Sequence, residues 1–418
     1  MIMSEWKEVR LDSLVNRNIC YGIVQPGFSP ENGIPVIKVN NIVKGLRDIS
    51  ECDKTTEEIN NKYKRTILKG GELVISLVGT VGYVDIVPLS FAGANLVRAT
   101  GMIDIEDELI KYWVLFYIRT KQGQQYIEEH LNTTVQRALN IKDLCKMPIP
   151  ITQRCYMEKV VSILSSLDSK IAVNRRICAN LEAQAQALFK HWFIDFAPFK
   201  DGKFVESELG MIPEGLIYKR IEDMPHTLET GKRPAGGVKG IDNGVPSIGA
   251  ENIKGLGCYD YSKTKYVTRE YYDSMKKGKI HGYELLVYKD GGKPGYFIPN
   301  FTIFGEGYPY KEMCLNEHVF KLDFGNKGYS LFAYFFFKTK QIMSYLNAQG
   351  AKAAIPGINS KDIEVIRMPS LDNDCVQNYC NEVEDILTQI LFLSKESSRL
   401  TSLRDTLLPK LMSGEIKV

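Results

Sequence analysis

The sequence predicts an α+β protein in which two similar mixed α/β domains alternate with two long helices that pack together. Two observations carry this prediction: the apolar periodicity of residues 156–192, and its return 219 residues later, as from Leu164 to Val383 (383 − 164 = 219). The 418 residues exceed what one hydrophobic core accommodates, which agrees with two or more domains.

The first long helix is predicted from Tyr156 to Trp192. This stretch holds no Pro or Gly, and its apolar residues recur at steps of three and four. Such heptad spacing predicts a helix, roughly 55 Å long, that packs against another helix. Because a single apolar stripe cannot stabilise a helix of that length, a partner helix is required. Its predicted seam comprises Leu164, Leu167, Ile171, Leu181 and Leu188, with Asn174 in the one polar slot.

The partner helix is predicted at about Asp374–Leu408, where most of the seam pattern returns. Pro409 is expected to end or kink it, because a proline inside a helix removes a backbone hydrogen bond and clashes with the preceding turn. The predicted seam of this second helix comprises Ile386, Ile390, Leu393, Leu400 and Leu407.

The globular segments repeat as well. Gly33-Ile34-Pro35 matches Gly244-Val245-Pro246 at an offset of 211 (244 − 33), and Thr120-Lys121-Gln122 matches Thr339-Lys340-Gln341 at 219 (339 − 120). Between them, Glu72 matches Glu284 at 212 (284 − 72). A period of about half the chain indicates tandem duplication of a domain plus a helix. The predicted domains are residues 1–150, 151–195, 196–370 and 371–418.

Local patterns in the first half predict its elements. Short apolar runs at 34–39 and 72–78 predict strands, and 106–131 predicts a helix whose later part Gly123 weakens. The polar tract 132–137 predicts an exposed loop. Residues 195–216, with two Pro and three Gly, predict a linker to the second half.

Composition excludes several classes of protein. The net charge is only +3, so a nucleic-acid surface would have to be local. Nine cysteines without a C-x-x-C pair indicate reduced thiols, not a disulfide framework or a zinc site. The polar start MIMSEWKEVR argues against a signal peptide, and no apolar run reaches the roughly 20 residues of a membrane span. We therefore expect a cytoplasmic protein without membrane contact.

Three motifs resemble the specificity subunit of type I restriction–modification systems. LRDTLLPKLMSGEI (403–416) resembles that family's C-terminal signature, and LEAQAQALFKHWFIDF (181–196) resembles the end of its central conserved region. TGKRPAGG (230–237), followed by GVPSIGAENIKG (244–255), resembles the start of a target recognition domain. YGIVQPG (21–27) in the first half departs from the Gly-x-x-Pro form of Gly231–Pro234.

The resemblance implies an architecture and a set of partners. The two globular domains become target recognition domains, each reading half of a split double-stranded DNA sequence. The two helices become an antiparallel coiled coil with pseudo-two-fold symmetry that fixes their separation. Two methyltransferase subunits, which carry S-adenosylmethionine, dock on the assembly, and restriction subunits with ATP and Mg join them. The chain itself catalyses nothing and needs no cofactor or metal.

The residues offer little support for catalysis by this chain. Adenine methylation uses an Asn/Asp-Pro-Pro-Tyr/Phe loop to hold the flipped base, and the sequence has no Pro-Pro pair. No G-x-G-x-x-G turn occurs, and the five histidines are scattered. The alternatives are a DNA-modifying enzyme with a cryptic site, a specificity subunit of a related system without restriction, and a purely structural coiled-coil scaffold.

Base reading requires Asn, Gln, Arg and Lys on accessible loops, with further cations on phosphates. Solvated loop residues remain the alternative at each position, and Lys232-Arg233-Pro234 before three small residues fits a phosphate grip or an ordinary turn. The DNA-binding candidates of the first half are Lys38, Asn40, Asn41, Thr80, Gln136 and Arg137. Those of the second half are Lys232, Arg233, Glu251, Asn252, Lys289, Lys293, Tyr296 and Lys352.

The helix lengths also predict the form of the target. Major-groove sites on one face of DNA recur about every 34–36 Å. Domains docking somewhat inboard of the ends of roughly 50–55 Å helices would read two short halves separated by roughly five to eight unread base pairs.

Overall fold

The computed structural model describes residues 6–132, 136–207, 210–291, 295–352 and 356–418. The chain divides into two compact units: Met1–Ser169 with Thr401–Val418 form the first, and Lys170–Leu400 form the second. Each unit therefore contains one globular part and one end of each long helix.

The described part of the first unit is mixed α and β. Its strands are β1 (Lys7–Arg10), β2 (Arg17–Tyr21), β3 (Ile34–Ile37), β4 (Asp53–Thr55), β5 (Leu73–Ser76), β6 (Val84–Ile86), β7 (Asn95–Leu96), β8 (Thr100–Asp104), β9 (Leu131–Asn132), β10 (Ala138–Leu139) and β11 (Pro148–Ile151). Its helices are α1 (Val39–Lys44), α2 (Glu57–Lys62), α3 (Glu108–Arg119), α4 (Lys121–Glu129), α5 (Ile141–Cys145) and α6 (Arg154–Phe193), which continues into the second unit.

The described part of the first unit contains two larger sheets, besides the strand pairs β1-β11 and β9-β10. One is antiparallel with strand order β2-β8-β5-β6, and the other has the order β4-β3-β7, with β3 parallel to β7. Successive side chains of β5 point to opposite faces. Leu73 and Ile75 pack in one core with Trp113 of α3, while Val74 packs in another with Leu96.

The second unit repeats this plan. Its strands are β12 (Phe204–Ser207), β13 (Gly210–Pro213), β14 (Tyr218–Arg220), β15 (Thr227–Thr230), β16 (Val245–Ile248), β17 (Lys265–Val267), β18 (Lys279–Ile280), β19 (Leu285–Tyr288), β20 (Phe301–Ile303), β21 (Met313–Leu315), β22 (Val319–Asp323) and β23 (Arg367–Pro369). Its helices are α7 (Arg269–Ser274), α8 (Lys327–Phe337), α9 (Lys340–Gly350), α10 (Ser360–Glu364) and α11 (Asp374–Met412), which ends in the first unit.

The sheet orders of the second unit match those of the first. The order β15-β22-β19-β20 corresponds to β2-β8-β5-β6, and β17-β16-β21 corresponds to β4-β3-β7, with β18 as an added edge strand. The parallel pairing of β16 with β21 repeats that of β3 with β7. The predicted α+β fold, with two long helices packed together, is confirmed.

The two long helices run antiparallel within each unit. In the first unit, the Tyr156 hydroxyl donates to the Leu411 carbonyl (2.8 Å), and Arg404 contacts Asp168 (2.7 Å). In the second unit, Asn174 donates to Glu396 (2.6 Å) and the Tyr379 hydroxyl donates to the Ala185 carbonyl (3.0 Å). Later positions on α6 thus meet earlier positions on α11.

The predicted seam residues differ in burial. Leu164, Ile171 and Ile390 are buried, and Asn174 is fully buried as well. The half-buried seam residues are Leu167, Leu181, Leu188, Ile386, Leu393, Leu400 and Leu407. Near the end of α6, full burial shifts to Phe189 and Phe193, because this end packs on the core of the second unit beside Phe332.

The prediction of a single helix over 106–131 was wrong, because Thr120 interrupts the helical conformation between α3 and α4. Thr120 has an extended backbone, and its hydroxyl accepts a hydrogen bond from the Gly123 amide (3.1 Å) as the N-cap of α4. Thr339 occupies the same position between α8 and α9. The repeated Thr-Lys-Gln motif therefore marks a helix start.

Two other boundaries also differ from the predictions. Helix α11 continues one turn past Pro409 to Met412, because a proline in the last turn removes only one backbone hydrogen bond. The predicted linker 195–216 contains an antiparallel hairpin of β12 and β13. The tract 132–137 is not wholly a loop, since Asn132 pairs with Ala138; residues 133–135 lie outside the described residues.

Candidate nucleic-acid interface

Loops converge at one edge of the main sheet in the second unit. Strand β15 ends where β22 begins, with Thr230 opposite Phe320. Strand β19 ends at the same place, with Tyr288 opposite Val319. The loops that follow β15 and β19 therefore meet the loop that precedes β22, and we call this the second loop edge.

The second loop edge collects most of the candidates of its unit. Lys232 and Arg233 follow β15 and are exposed, and Tyr296, beyond β19, is 59% exposed. Lys352 is exposed on the loop after α9, which the bond from the Ile358 amide to the Lys289 carbonyl (2.8 Å) brings alongside. Lys293 lies outside the described residues.

Two further candidates follow β16, which runs parallel to β21. Glu251 forms an ion pair with Lys265 (2.6 Å). Burial alone would raise the pKa of Glu251, but the hydrogen bond from Lys265 helps to hold that pKa below its ordinary value. Asn252 is buried, and its side-chain oxygen accepts from the Gly249 amide (3.0 Å), so it shapes the loop.

A charged cluster at the second loop edge includes residues that sequence reasoning missed. Arg233 contacts Glu317 (2.6 Å), and the neighbouring His318 contacts the Asp290 carboxylate through Nδ1. Lys289 is half-buried and donates to the Glu317 carbonyl (3.2 Å). Glu317 and His318 lie in the short connection between β21 and β22, which carried no motif.

The first unit has an equivalent edge, which we call the first loop edge. Here β2 and β5 end where β8 begins, with Tyr21 opposite Gly101 and Ser76 opposite Thr100. Thr80 and Gln136 are exposed in adjacent loops, joined by the bond from the Gly79 amide to the Arg137 carbonyl (2.9 Å). Arg137 itself is exposed and pairs with Glu128.

The remaining candidates of the first unit follow β3. Lys38 is exposed and pairs with Asp53, and Asn40 is exposed. Asn41 is half-buried and accepts from the Lys38 amide (2.8 Å), as its counterpart Asn252 accepts from Gly249. The exposed Arg98, two residues before the start of β8, was missed. The repeat aligns it with Glu317 (317 − 98 = 219), which marks both as edge positions.

A glycine is the first residue after the strand at both loop edges, Gly22 after β2 and Gly231 after β15. A Cβ on Gly231 would lie 1.7 Å from the Leu315 carbonyl oxygen, and one on Gly22 would lie 2.0 Å from that of Leu96. Leu315 and Leu96 are themselves repeat partners (315 − 96 = 219). Gly22 is thus the counterpart of Gly231, although the sequences that follow the two glycines differ.

The exposed side chains of both loop edges suit DNA binding. Within the described ranges, no three or more His, Cys, Asp or Glu side chains come together as a metal site. No helix in the same ranges is long and apolar enough to cross a membrane. Exposed Lys, Arg, Asn and Gln side chains on converging loops match the chemistry of phosphates and base edges.

Comparisons with known proteins agree with this chemistry. Residues 3–183 match the family described as "Type I restriction modification DNA specificity domain". The chain is 25% identical over 396 residues to the type I restriction enzyme MjaIX specificity subunit of Methanocaldococcus jannaschii, covering 90% of this chain and 83% of the relative. It is 23% identical over 477 residues to the HindI specificity subunit of Haemophilus influenzae, covering 99% and 100%.

One solved structure supports the fold independently. The crystal structure of the type I restriction–modification system S subunit from M. genitalium superposes with a TM-score of 0.51 at 15% sequence identity. The match covers 98% of this chain and 96% of that chain. The likeness therefore extends over both units and both long helices.

Proposed function

We propose, for this DNA specificity subunit of a type I restriction–modification system, that its two loop edges bind the two halves of a bipartite DNA target. The observation that carries the proposal is the repeated sheet edge, built from equivalent loops in both units. The proposed DNA-binding residues are those predicted above, with Asn41 and Asn252 shaping the loops that present them.

The two edges differ in chemistry, so the two half-targets are expected to differ. Exposed Asn40 in the first unit corresponds to Glu251 in the second (251 − 40 = 211). An amide both donates and accepts hydrogen bonds, whereas a carboxylate only accepts. Each unit therefore favours a different pattern of base edges.

As a specificity subunit the chain is the non-catalytic member of its complex, and its family implies assembly with other subunits. The finer composition is part of the proposal: two methyltransferase subunits with S-adenosylmethionine, and restriction subunits that use ATP and Mg. We expect the methyltransferase subunits to dock on the outward faces of α6 and α11. Val173 and Phe392 are exposed there at repeat-related positions (392 − 173 = 219), Phe392 at 61%.

Methyl transfer tests the function directly. The purified chain is expected to transfer no methyl group from a labelled donor to DNA, because its sequence lacks the Asn/Asp-Pro-Pro-Tyr/Phe loop that adenine methylation uses. Together with its methyltransferase partners it should direct methylation to one defined sequence. Transfer by the chain alone would favour a DNA-modifying enzyme, and a complex without sequence preference would favour a structural scaffold.

Surface substitution tests the docking faces. Replacing Phe392 with lysine is expected to weaken co-purification of a methyltransferase subunit at least tenfold, because a charge would enter an apolar contact. The chain itself should stay folded, since Phe392 is exposed. Leu89→Lys, at an exposed apolar position of the first unit outside both long helices, is the matched control. Unchanged assembly of the Phe392→Lys variant would place the docking surface elsewhere.

A further inference from the structure

The backbone of Arg233 is held on both sides. Gly231 lies so close to the Leu315 carbonyl that no side chain fits there. The Lys232 carbonyl accepts a hydrogen bond from the Tyr271 hydroxyl of α7 (2.8 Å). Pro234 follows and restricts both its own φ and the conformation of Arg233. Arg233 therefore starts from a fixed point at the second loop edge, although its side chain is exposed.

A series of contacts between charged side chains restrains the guanidinium of Arg233. Arg233 Nη2 lies 2.6 Å from Glu317 Oε1, and the same oxygen lies 3.3 Å from His318 Nε2. The Asp290 carboxylate contacts the other ring nitrogen of His318. The His318 amide donates to the Asn316 side chain (2.9 Å), which fixes the backbone of this connection. Each member of the series restrains the next.

The carboxylates argue against a phosphate contact at this point. Glu317 and Asp290 would repel a phosphate, whereas the edges of base pairs carry no net charge. Glu317 takes one N–H of Arg233 Nη2 (2.6 Å), and the contact of Nη2 with His318 Nε2 is longer (3.4 Å). The other N–H of Nη2 lies beside an N–H of Nη1 or Nε, and such an adjacent pair forms a forked edge. Two donors on one planar group match the O6 and N7 acceptors of guanine.

From this geometry we infer that Arg233 reads a guanine in the half-target of the second unit. Glu317 is the positioning residue for the guanidinium, and His318 with Asp290 holds Glu317. The inference rests on the proposed function of the loop edges and names the base and the residues that determine specificity there.

The first unit has different residues at the positions that correspond to Arg233, Glu317 and His318. With Gly22 as the counterpart of Gly231 (231 − 22 = 209), Arg233 corresponds to Val24. Glu317 and His318 correspond to Arg98 and Ala99 at the offset of 219. Loss of Arg233 should therefore relax recognition in one half-target and leave the other unchanged.

The experiment uses the complex with its methyltransferase subunits. Its target is first mapped by sequencing methylated DNA, and duplexes with one base pair varied at a time then compete for binding. Arg233→Lys keeps the charge but loses the planar fork. We expect discrimination at a single G·C pair to fall roughly tenfold to a hundredfold, with every other position unchanged.

Glu317→Gln and Asp290→Asn test the positioning role. Both should relax the same G·C pair, by less than Arg233→Lys, and both should leave the salt dependence of binding unchanged. Glu312→Gln is the matched control, because Glu312 forms an exposed pair with Arg269 (2.9 Å) in the same unit. A structural role alone would lower thermal stability without selecting one base pair.

Several results would overturn the inference. Uniformly weaker binding to all sequences, with a salt slope reduced by about one, would make Arg233 a phosphate contact. If the wild-type complex discriminates between base pairs and the Arg233→Lys complex discriminates equally well at every position, this inference alone is overturned. A wild-type complex that prefers no sequence would overturn the proposed function as well.

Discussion

Replacing Glu284 with alanine is expected to destabilise the second unit by about 3–5 kcal/mol. Glu284 is 1% exposed, and its carboxylate accepts hydrogen bonds from the amides of His281 (2.8 Å) and Gly282 (2.7 Å). It also lies 3.8 Å from the buried ammonium of Lys321. The alanine variant would leave two backbone donors without acceptors and one buried charge with less compensation.

Lys321 makes this loss costly because it has few other partners. Its ammonium donates to the Lys279 carbonyl (2.9 Å) and lies 3.3 Å from Glu229. Burial alone would raise the pKa of Glu229, but the Gly278 amide and Lys321 hold that pKa below its ordinary value. Glu229 therefore stays charged at neutral pH. In the Glu284→Ala variant it still compensates part of the charge of Lys321.

Hydrogen exchange followed peptide by peptide measures the effect in each unit separately. Peptides of β19 and β22 should lose protection in Glu284→Ala, while those of β5 and β8 keep theirs. Glu222→Ala removes an exposed pair with Arg220 (2.9 Å) and should cost no more than about 1 kcal/mol. Equal stability of the Glu284 and Glu222 variants would contradict the prediction.

The first unit also contains a buried carboxylate beside a cation, but the cation lies on a different strand. Glu72 is buried and accepts from the amides of Lys69 (2.8 Å) and Gly70 (2.9 Å), as its repeat partner Glu284 does from His281 and Gly282. Its cation is Arg17 on β2, which also pairs with Asp104 (2.7 Å). In the second unit the cation lies on the middle strand β22. Glu72 and Glu284 therefore accept equivalent hydrogen bonds from backbone amides, but the cation that each contacts lies on a different strand.

Sequence reasoning predicted the features that follow from periodicity and repetition. Heptad spacing predicted both long helices, and the offsets of 211 to 219 predicted the duplicated α+β units. The match of Glu72 with Glu284 was visible, but its role was not, because burial of a carboxylate depends on contacts between distant strands. Repetition shows that two positions are equivalent without showing what either one contacts.

The loop edges were less predictable for the same reason. Asn41 and Asn252 have the composition of base-reading residues, yet their side-chain oxygens accept hydrogen bonds within their own loops. Glu317 and His318 occupy a connection without any motif and lie beside Arg233 only because β15 and β22 are antiparallel neighbours. Residue type selects candidates, but strand pairing decides which candidates meet.

Lengthening both helices by one heptad is expected to lengthen the unread gap of the target by about three base pairs. The chain passes between the units at residues 169–170 in α6 and 400–401 in α11, so seven residues inserted at each point leave both units intact. Seven helical residues add about 10 Å, and each base pair rises about 3.4 Å. Equal insertions keep the antiparallel seam in register.

The preferred gap is measured by mapping methylated sites made by the lengthened subunit in complex with its methyltransferase partners. Both half-sequences should remain as in the parent complex, because neither loop edge changes. Three added base pairs also rotate one half-target by about 100° relative to the other, so affinity should fall even at the best gap. A matched control inserts seven residues into α6 alone, which breaks the seam and should abolish a defined gap. An unchanged gap in the doubly lengthened subunit would refute the proposal that the helices set the spacing.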